Sequence, residues 1–172
     1  MAHTFRTVTL AAVISLACQG AFAAQSNDDF VEDASATGVA EVEAGKLAQE
    51  KGSAADVKSF ADMMVKDHTA ANEKLKAIAD SKKLEVSTNQ ELLDKTKSII
   101  LELRSSKSFD QAYANNQVKA HEATIEIFEA EAKNGTDPDL KAFAEKTLPT
   151  LEAHLKQAKA LAEAHGGDAA KE

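Results

Sequence analysis

Cysteine is almost missing from this chain. The single copy, Cys18, sits near the N-terminus, so no disulfide can staple the rest. Stability must come from packing. Tryptophan is absent and tyrosine occurs once, at Tyr113. That leaves little aromatic surface for stacking on sugars or bases. Lys and Arg number 20 against 28 Asp and Glu, a net charge of −8. No basic patch stands out, which argues against nucleic acid as a partner. A negative surface of this size mainly favours solubility. Only two prolines occur in 172 residues, so little interrupts long helices.

What is present begins with the N-terminus. Met1 to Thr7 carries one cation, Arg6, and is followed by the apolar run VTLAAVISLAC. QGAFAA then places small residues at Ala21 and Ala23. This is the pattern of a secretory signal peptide over residues 1–23, too short to span a membrane. Removing it takes away Arg6 and no acid, so −8 becomes −9. Lipidation at Cys18 is the weaker alternative, because Ser15 stands where a lipobox needs an aliphatic residue. The expected location is the periplasm, with an outer-membrane lipoprotein as the other option. No transmembrane span is expected in the mature chain.

Residues 24–165 read as all-α. The first helix is expected from about Asp28 to Lys51, ended by Gly52-Ser53. Ser53 with Asp56 resembles a capping box and opens a second helix to about Lys82. Thr88 with Glu91 is another, opening a shorter helix to about Leu103. A third long helix runs from about Phe109 to Lys133, ended by Asn134-Gly135. Asp137-Pro138 is an N-cap with proline at N1, starting a fourth to about His165. Pro149 lies inside that helix and predicts a kink, because the apolar pattern continues beyond it. Residues 166–172, GGDAAKE, are expected to be a disordered tail. Two hairpins joined by a long connection with its own short helix suggest a ferritin-like four-helix bundle, with an up-down-up-down bundle as the alternative.

The apolar stripes contain one anomaly each. In the second helix Val57, Phe60, Ala61, Met64, Ala71, Leu75 and Ile78 follow three-four spacing, and His68 lies in step with them. His121 lies on the stripe of Ala114, Val118, Ile125 and Phe128. His154 shares the stripe of Leu140, Phe143, Leu151, Leu155 and Leu161. Glu41 shares the stripe of Phe30, Ala34, Gly38 and Ala48, while Glu43 and Glu152 point away. Each of the four lies roughly 20 Å along its helix at 1.5 Å per residue. Mid-helix residues of an antiparallel bundle share one level, so the four can meet.

Three imidazoles and one carboxylate suit one transition-metal ion, Fe, Mn, Zn or Cu. Asp67, Gln117 and Thr147 lie close enough to the same faces to hydrogen-bond the ligands and fix their tautomers. A core histidine taken alone is more often a satisfied structural residue, and three can form a polar layer that fixes register without metal. Clustered imidazoles also suggest a pH sensor, loosening near pH 5 to 6. The residue three before each histidine is Val65, Val118 and Leu151, so no Glu-x-x-His motif exists and a di-iron carboxylate centre is disfavoured.

The blocks GVAEVEAGKLA, VKSFADMMVKDHTAAN, FDQAYANNQVKAHEATIEIFEAEAKNG and LKAFAEKTLPTLEAHL resemble the exported bacterial family called domain of unknown function 4142. The resemblance runs from about Asp28 to Leu161 and includes Glu41, Glu43, His68, His121 and His154. It implies a ferritin-like bundle of the periplasm or outer envelope, and no established activity. Two functions follow as expectations. One is metal handling or protection against envelope stress. The other is a non-enzymatic envelope protein, binding another protein or the cell-wall surface, whose histidines only fill the core. No Ser-His-Asp set, phosphate loop or cysteine site is recognisable.

Overall fold

The computed structural model describes residues 26–86, 98–100, 103 and 108–169. Expectations for the signal peptide, Cys18, the Thr88–Glu91 box and residues 170–172 lie outside them. The chain is all-α. Four long helices form the bundle: α1 (Asn27–Lys51), α2 (Ala55–Lys82), α3 (Phe109–Asn134) and α4 (Pro138–Ala164). Within the long connection between α2 and α3, residues 98–100 and 103 are helical.

Helix starts follow local chemistry. Ser26, Ser108 and Asp137 accept hydrogen bonds from the first free backbone N–H groups of α1, α3 and α4, each bond worth about 1 kcal/mol. The expected capping box at α2 does not form. Ala54 is the N-cap and makes no side-chain bond. Ser53 instead gives its hydroxyl to Asp110 at 2.5 Å, and Asp110 also accepts from the Ser53 and Ala54 N–H groups at 3.0 Å. An acid on α3 therefore caps α2 from across the bundle. Its burial opposes ionisation, but these bonds hold its pKa below the usual carboxylate range.

The same contact sets the topology. The start of α3 meets the α1–α2 turn, and His165, just past α4, meets Asp56 at the start of α2 at 3.0 Å. At the opposite end Lys82 pairs with Asp137 and Asp139 at 2.7 Å. Neighbouring helices are thus antiparallel, and α2 and α3 run parallel on a diagonal, as a long crossover requires. α1 and α2 pack closely at Gly38, whose missing side chain leaves room for the Asn72 amide.

The ring of His165, at the end of α4, is held by Asp56. The expected disorder of the tail fails for Gly166–Ala169. Gln111 donates to the Gly166 carbonyl at 2.5 Å, Asn115 bonds Asp168 and the Ala169 N–H, and Ala169 is buried. Gly166 adopts φ +73°, which lets the chain turn back onto α3. α4 continues through Pro149 without ending.

The core divides in two. One cluster gathers Leu47, Val57, Phe60, Met64, Tyr113, Val118 and Leu161. The other gathers Phe30, Val31, Leu75, Phe128, Leu140, Phe143 and Leu151. Glu41, His68, His121 and His154 are buried between them. Each fully buried Leu, Val or Phe contributes roughly 1.5–3 kcal/mol, and each unpartnered buried polar atom costs about 1–3 kcal/mol. Apolar clusters on both sides offset the polar layer.

Candidate metal centre

The three histidines converge. Their ring centroids form a nearly equilateral triangle of 5.5, 5.6 and 5.5 Å. One ring nitrogen from each lies within 4.8 Å of the others, and the residues are 6, 1 and 2 % exposed for His68, His121 and His154. Three-four spacing on α2, α3 and α4 aims them inward, and the shared mid-helix height brings them to one level.

Hydrogen bonds assign the ring atoms. His121 Nδ1 lies 2.9 Å from the Gln117 carbonyl, which can only accept, so Nδ1 carries the proton. His154 Nε2 lies 3.1 Å from Asp67 Oδ2, so its proton faces the carboxylate. His121 Nε2, His154 Nδ1 and His68 Nε2 are left buried with no partner. His121 Nε2 and His154 Nδ1 thus present free lone pairs, and His68 Nε2 is buried beside them without a partner, a set that suits a metal ion.

Electrostatics keeps the rings neutral. His68 is pushed down to about 3, by burial first and then by repulsion from His121 and His154. His121 is pushed down to about 4 by burial, with the Gln117 carbonyl opposing. His154 is lowered by burial, with Asp67 opposing. Neutral imidazole is the ligating form. Because the folded rings resist protonation that the unfolded chain accepts, stability falls progressively as pH drops below the ordinary 6.5.

Glu41 is not in the ligand group. It is buried at the same level, but its carboxylate takes a 2.6 Å hydrogen bond from Gln117 Nε2. Gln117 makes two separate contacts: its backbone carbonyl on His121, one turn along α3, and its side-chain amide on Glu41. Burial pushes Glu41 up to about 7, the Gln117 bond acting the other way. The expectation that Glu41 is a ligand thus gives way to a buried carboxyl paired with the Gln117 side chain. Thr147 also departs from expectation: its hydroxyl bonds the Phe143 carbonyl of its own helix. Asp67 does reach a ligand. Tyr113 was not singled out as part of a site. Its hydroxyl is buried without a partner, and burial and the nearby Glu41 push its pKa well up.

Two hollows flank the layer. One of about 340 Å³ lies between α1 and α3, with Glu41, Ala120, Ala123 and Thr124 on its walls and Ile99 of the crossover at its side. The other, about 520 Å³, lies between α2 and α4 and includes Asp67, Ala70, Thr147 and Thr150. No helix among the described residues is long and apolar enough to cross a membrane.

The fold and site define a class: a four-helix bundle with a long crossover and a buried triad of neutral histidines. The chain belongs to the family described as domain of unknown function DUF4142, whose model matches residues 13–161. No curated protein matches it in sequence. Among solved structures it is similar to CopM in the Cu(II)-bound form (TM-score 0.69, 13% identity, covering 83% of this chain and 99% of that one). The Cu(I)-bound form gives 0.68 and 16%, covering 81% and 97%. The silver-bound form gives 0.69 and 14%, covering 84% and 100%. At these identities the likeness is one of fold.

Proposed function

We propose that this protein is an exported metal-handling bundle that binds one copper ion, as Cu(I), at His68, His121 and His154. The observation that carries the reading is the trio of unpartnered ring nitrogens at one buried point. The likeness to copper- and silver-bound CopM supports it at the level of fold.

The donor set favours low charge. Among the described residues no carboxylate joins the ligand group, so the ion's charge meets only neutral rings. Burying a monovalent ion costs far less than burying a divalent one, and three imidazoles complete a trigonal site. Asp67 stands one hydrogen bond behind His154, a single negative charge matched to a single positive one. A divalent ion such as zinc would want a fourth ligand and more compensation. The role is custody of the ion in the periplasm, where copper is otherwise free to damage the envelope.

The test is metal analysis of untagged mature protein with a parallel melting curve. One copper per chain is expected, lost in His121→Leu together with all metal-dependent stabilisation. At a free ion concentration a thousandfold above Kd that stabilisation is about 4 kcal/mol. A wild-type protein that takes up no Cu, Zn, Fe or Mn would leave the histidines as a structural layer.

A further inference from the structure

The hollow between α1 and α3 has one buried carboxyl in its wall and mostly apolar side chains around it. We propose that it is a binding site for a small, neutral, mostly apolar molecule whose carbonyl oxygen takes a hydrogen bond from the Glu41 carboxyl. The site is separate from the histidine triad and does not rest on the metal reading.

The walls select the ligand. At about 340 Å³ the hollow is of the size that small ligands occupy. Ala36, Ala40, Ile99, Ala120, Ala123 and Ile127 give it an apolar lining. Thr37 and Thr124 also line it, but each gives its hydroxyl proton to a carbonyl of its own helix, at 3.1 and 2.8 Å. Asp33 and Lys119, with Asn116, complete the polar lining, and the two charges are of opposite sign.

Glu41 supplies the recognition atom. Gln117 lies behind the wall, and its Nε2 donates to Glu41 Oε2 at 2.6 Å. Glu41 Oε1 takes no hydrogen bond from any described residue. Nor is it sealed inside the bundle, as Gln117 Oε1 and the Tyr113 hydroxyl are. One oxygen is thus pinned, and the other opens on the hollow. Burial favours the protonated carboxyl. Because Oε2 accepts from Gln117, the proton sits on Oε1 and points a donor into an apolar space. A neutral carbonyl accepts from it without bringing charge. An ammonium would need Glu41 ionised inside the bundle. An anion would leave water for apolar walls where Asp33 offsets Lys119.

Acetophenone, phenylethylamine and benzoate are the probes: one aromatic body bearing a neutral carbonyl, a cation or an anion. Each is titrated into the full metal-free mature chain at about pH 6, below the point where Glu41 ionises, and binding is read by ligand-observed NMR. Acetophenone should bind at least tenfold tighter than the other two. Ala123→Trp, at an exposed position on the wall, should abolish its binding. Ala70→Trp, in the opposite hollow, should bind as wild type does. Glu41→Gln keeps an N–H donor and should stay within a few fold. Glu41→Met combined with Gln117→Leu removes the donor without stranding its partner and should weaken binding at least tenfold. Absence of acetophenone binding at millimolar concentration would overturn the proposal, as would undiminished binding in Ala123→Trp. Benzoate or phenylethylamine binding as tightly as acetophenone would overturn the neutral-carbonyl assignment. Undiminished binding in the double variant would remove Glu41 from the site and sink the proposal with it.

Discussion

Two carboxylates approach the histidine layer from opposite sides, and their surroundings differ. Glu41, on the α1–α3 side, is buried at 4 % exposure and is bonded by the Gln117 side-chain amide, not by a histidine. Asp67, on the α2–α4 side, is a third exposed and touches His154 directly. Water decides the contrast. Glu41 has lost its hydration and gained one amide hydrogen bond, so its neutral form is favoured and it is pushed up to about 7. Asp67 keeps solvent on one side and pairs with the His154 ring on the other. The same residue chemistry thus gives an interior acid that stores a proton and a surface acid that orients a histidine.

The largest effect should come from Glu41 and should depend on pH. Its folded pKa lies above the ordinary 4.5, so the folded chain holds a proton that the unfolded chain releases. The stability this contributes is full below about pH 4.5 and lost as pH rises through about 7. His68 and His121 act in the opposite sense. Their folded values, about 3 and about 4, lie below the ordinary 6.5, so their contribution is present above 6.5 and lost as pH falls through 4 and 3. Glu41→Gln should therefore be more stable than wild type at pH 8 by up to roughly 3 kcal/mol, at 1.36 kcal/mol per unit of pKa. The gap should close at pH 4.5. Urea unfolding of metal-free protein at pH 4.5, 6 and 8 reads it. A gap of the same size at all three would mean that Glu41 does not titrate inside the bundle.

Much of this arrangement was legible in the residues, and what was not has a common cause. Three-four spacing identified the inward faces of all four helices, and Gly52, Gly135 and Asp137-Pro138 marked their ends. The same periodicity located His68, His121, His154 and Glu41 at one level, because helical rise fixes height. It could not say which inward polar group bonds which. Glu41 was at the right height but faces Gln117. Thr147 was near the right face but satisfies its own helix. Asp110 caps a helix more than fifty residues away and displaced the expected Ser53–Asp56 box. Hydrogen-bond partners across a bundle depend on small rotations of neighbouring helices, which no single-helix period encodes. The tail was misjudged for a similar reason: its partners, Gln111 and Asn115, are on α3 and far away in sequence.

Gln117 makes the next, smaller test. Its Nε2 is the hydrogen-bond partner of the Glu41 carboxyl, while its own Oε1 is buried without a partner. Gln117→Leu should cost about 1–2 kcal/mol, because the buried Glu41 loses its donor while one orphaned oxygen disappears with the mutation. Glu41→Met combined with Gln117→Leu should return close to wild-type stability, because no polar group is then left stranded. The double-mutant cycle checks this by urea unfolding. Additive losses would show that the two side chains do not depend on one another.

The smallest effect should be at Asp67 in metal-free protein. Asn at this position keeps an acceptor for the His154 Nε2–H and removes only a charge that solvent already screens. The expected loss is under about 1 kcal/mol, measured by urea unfolding with chelator present. A loss above about 2 kcal/mol would instead show that the charge of Asp67 holds His154, and the α2–α4 pair with it, in place.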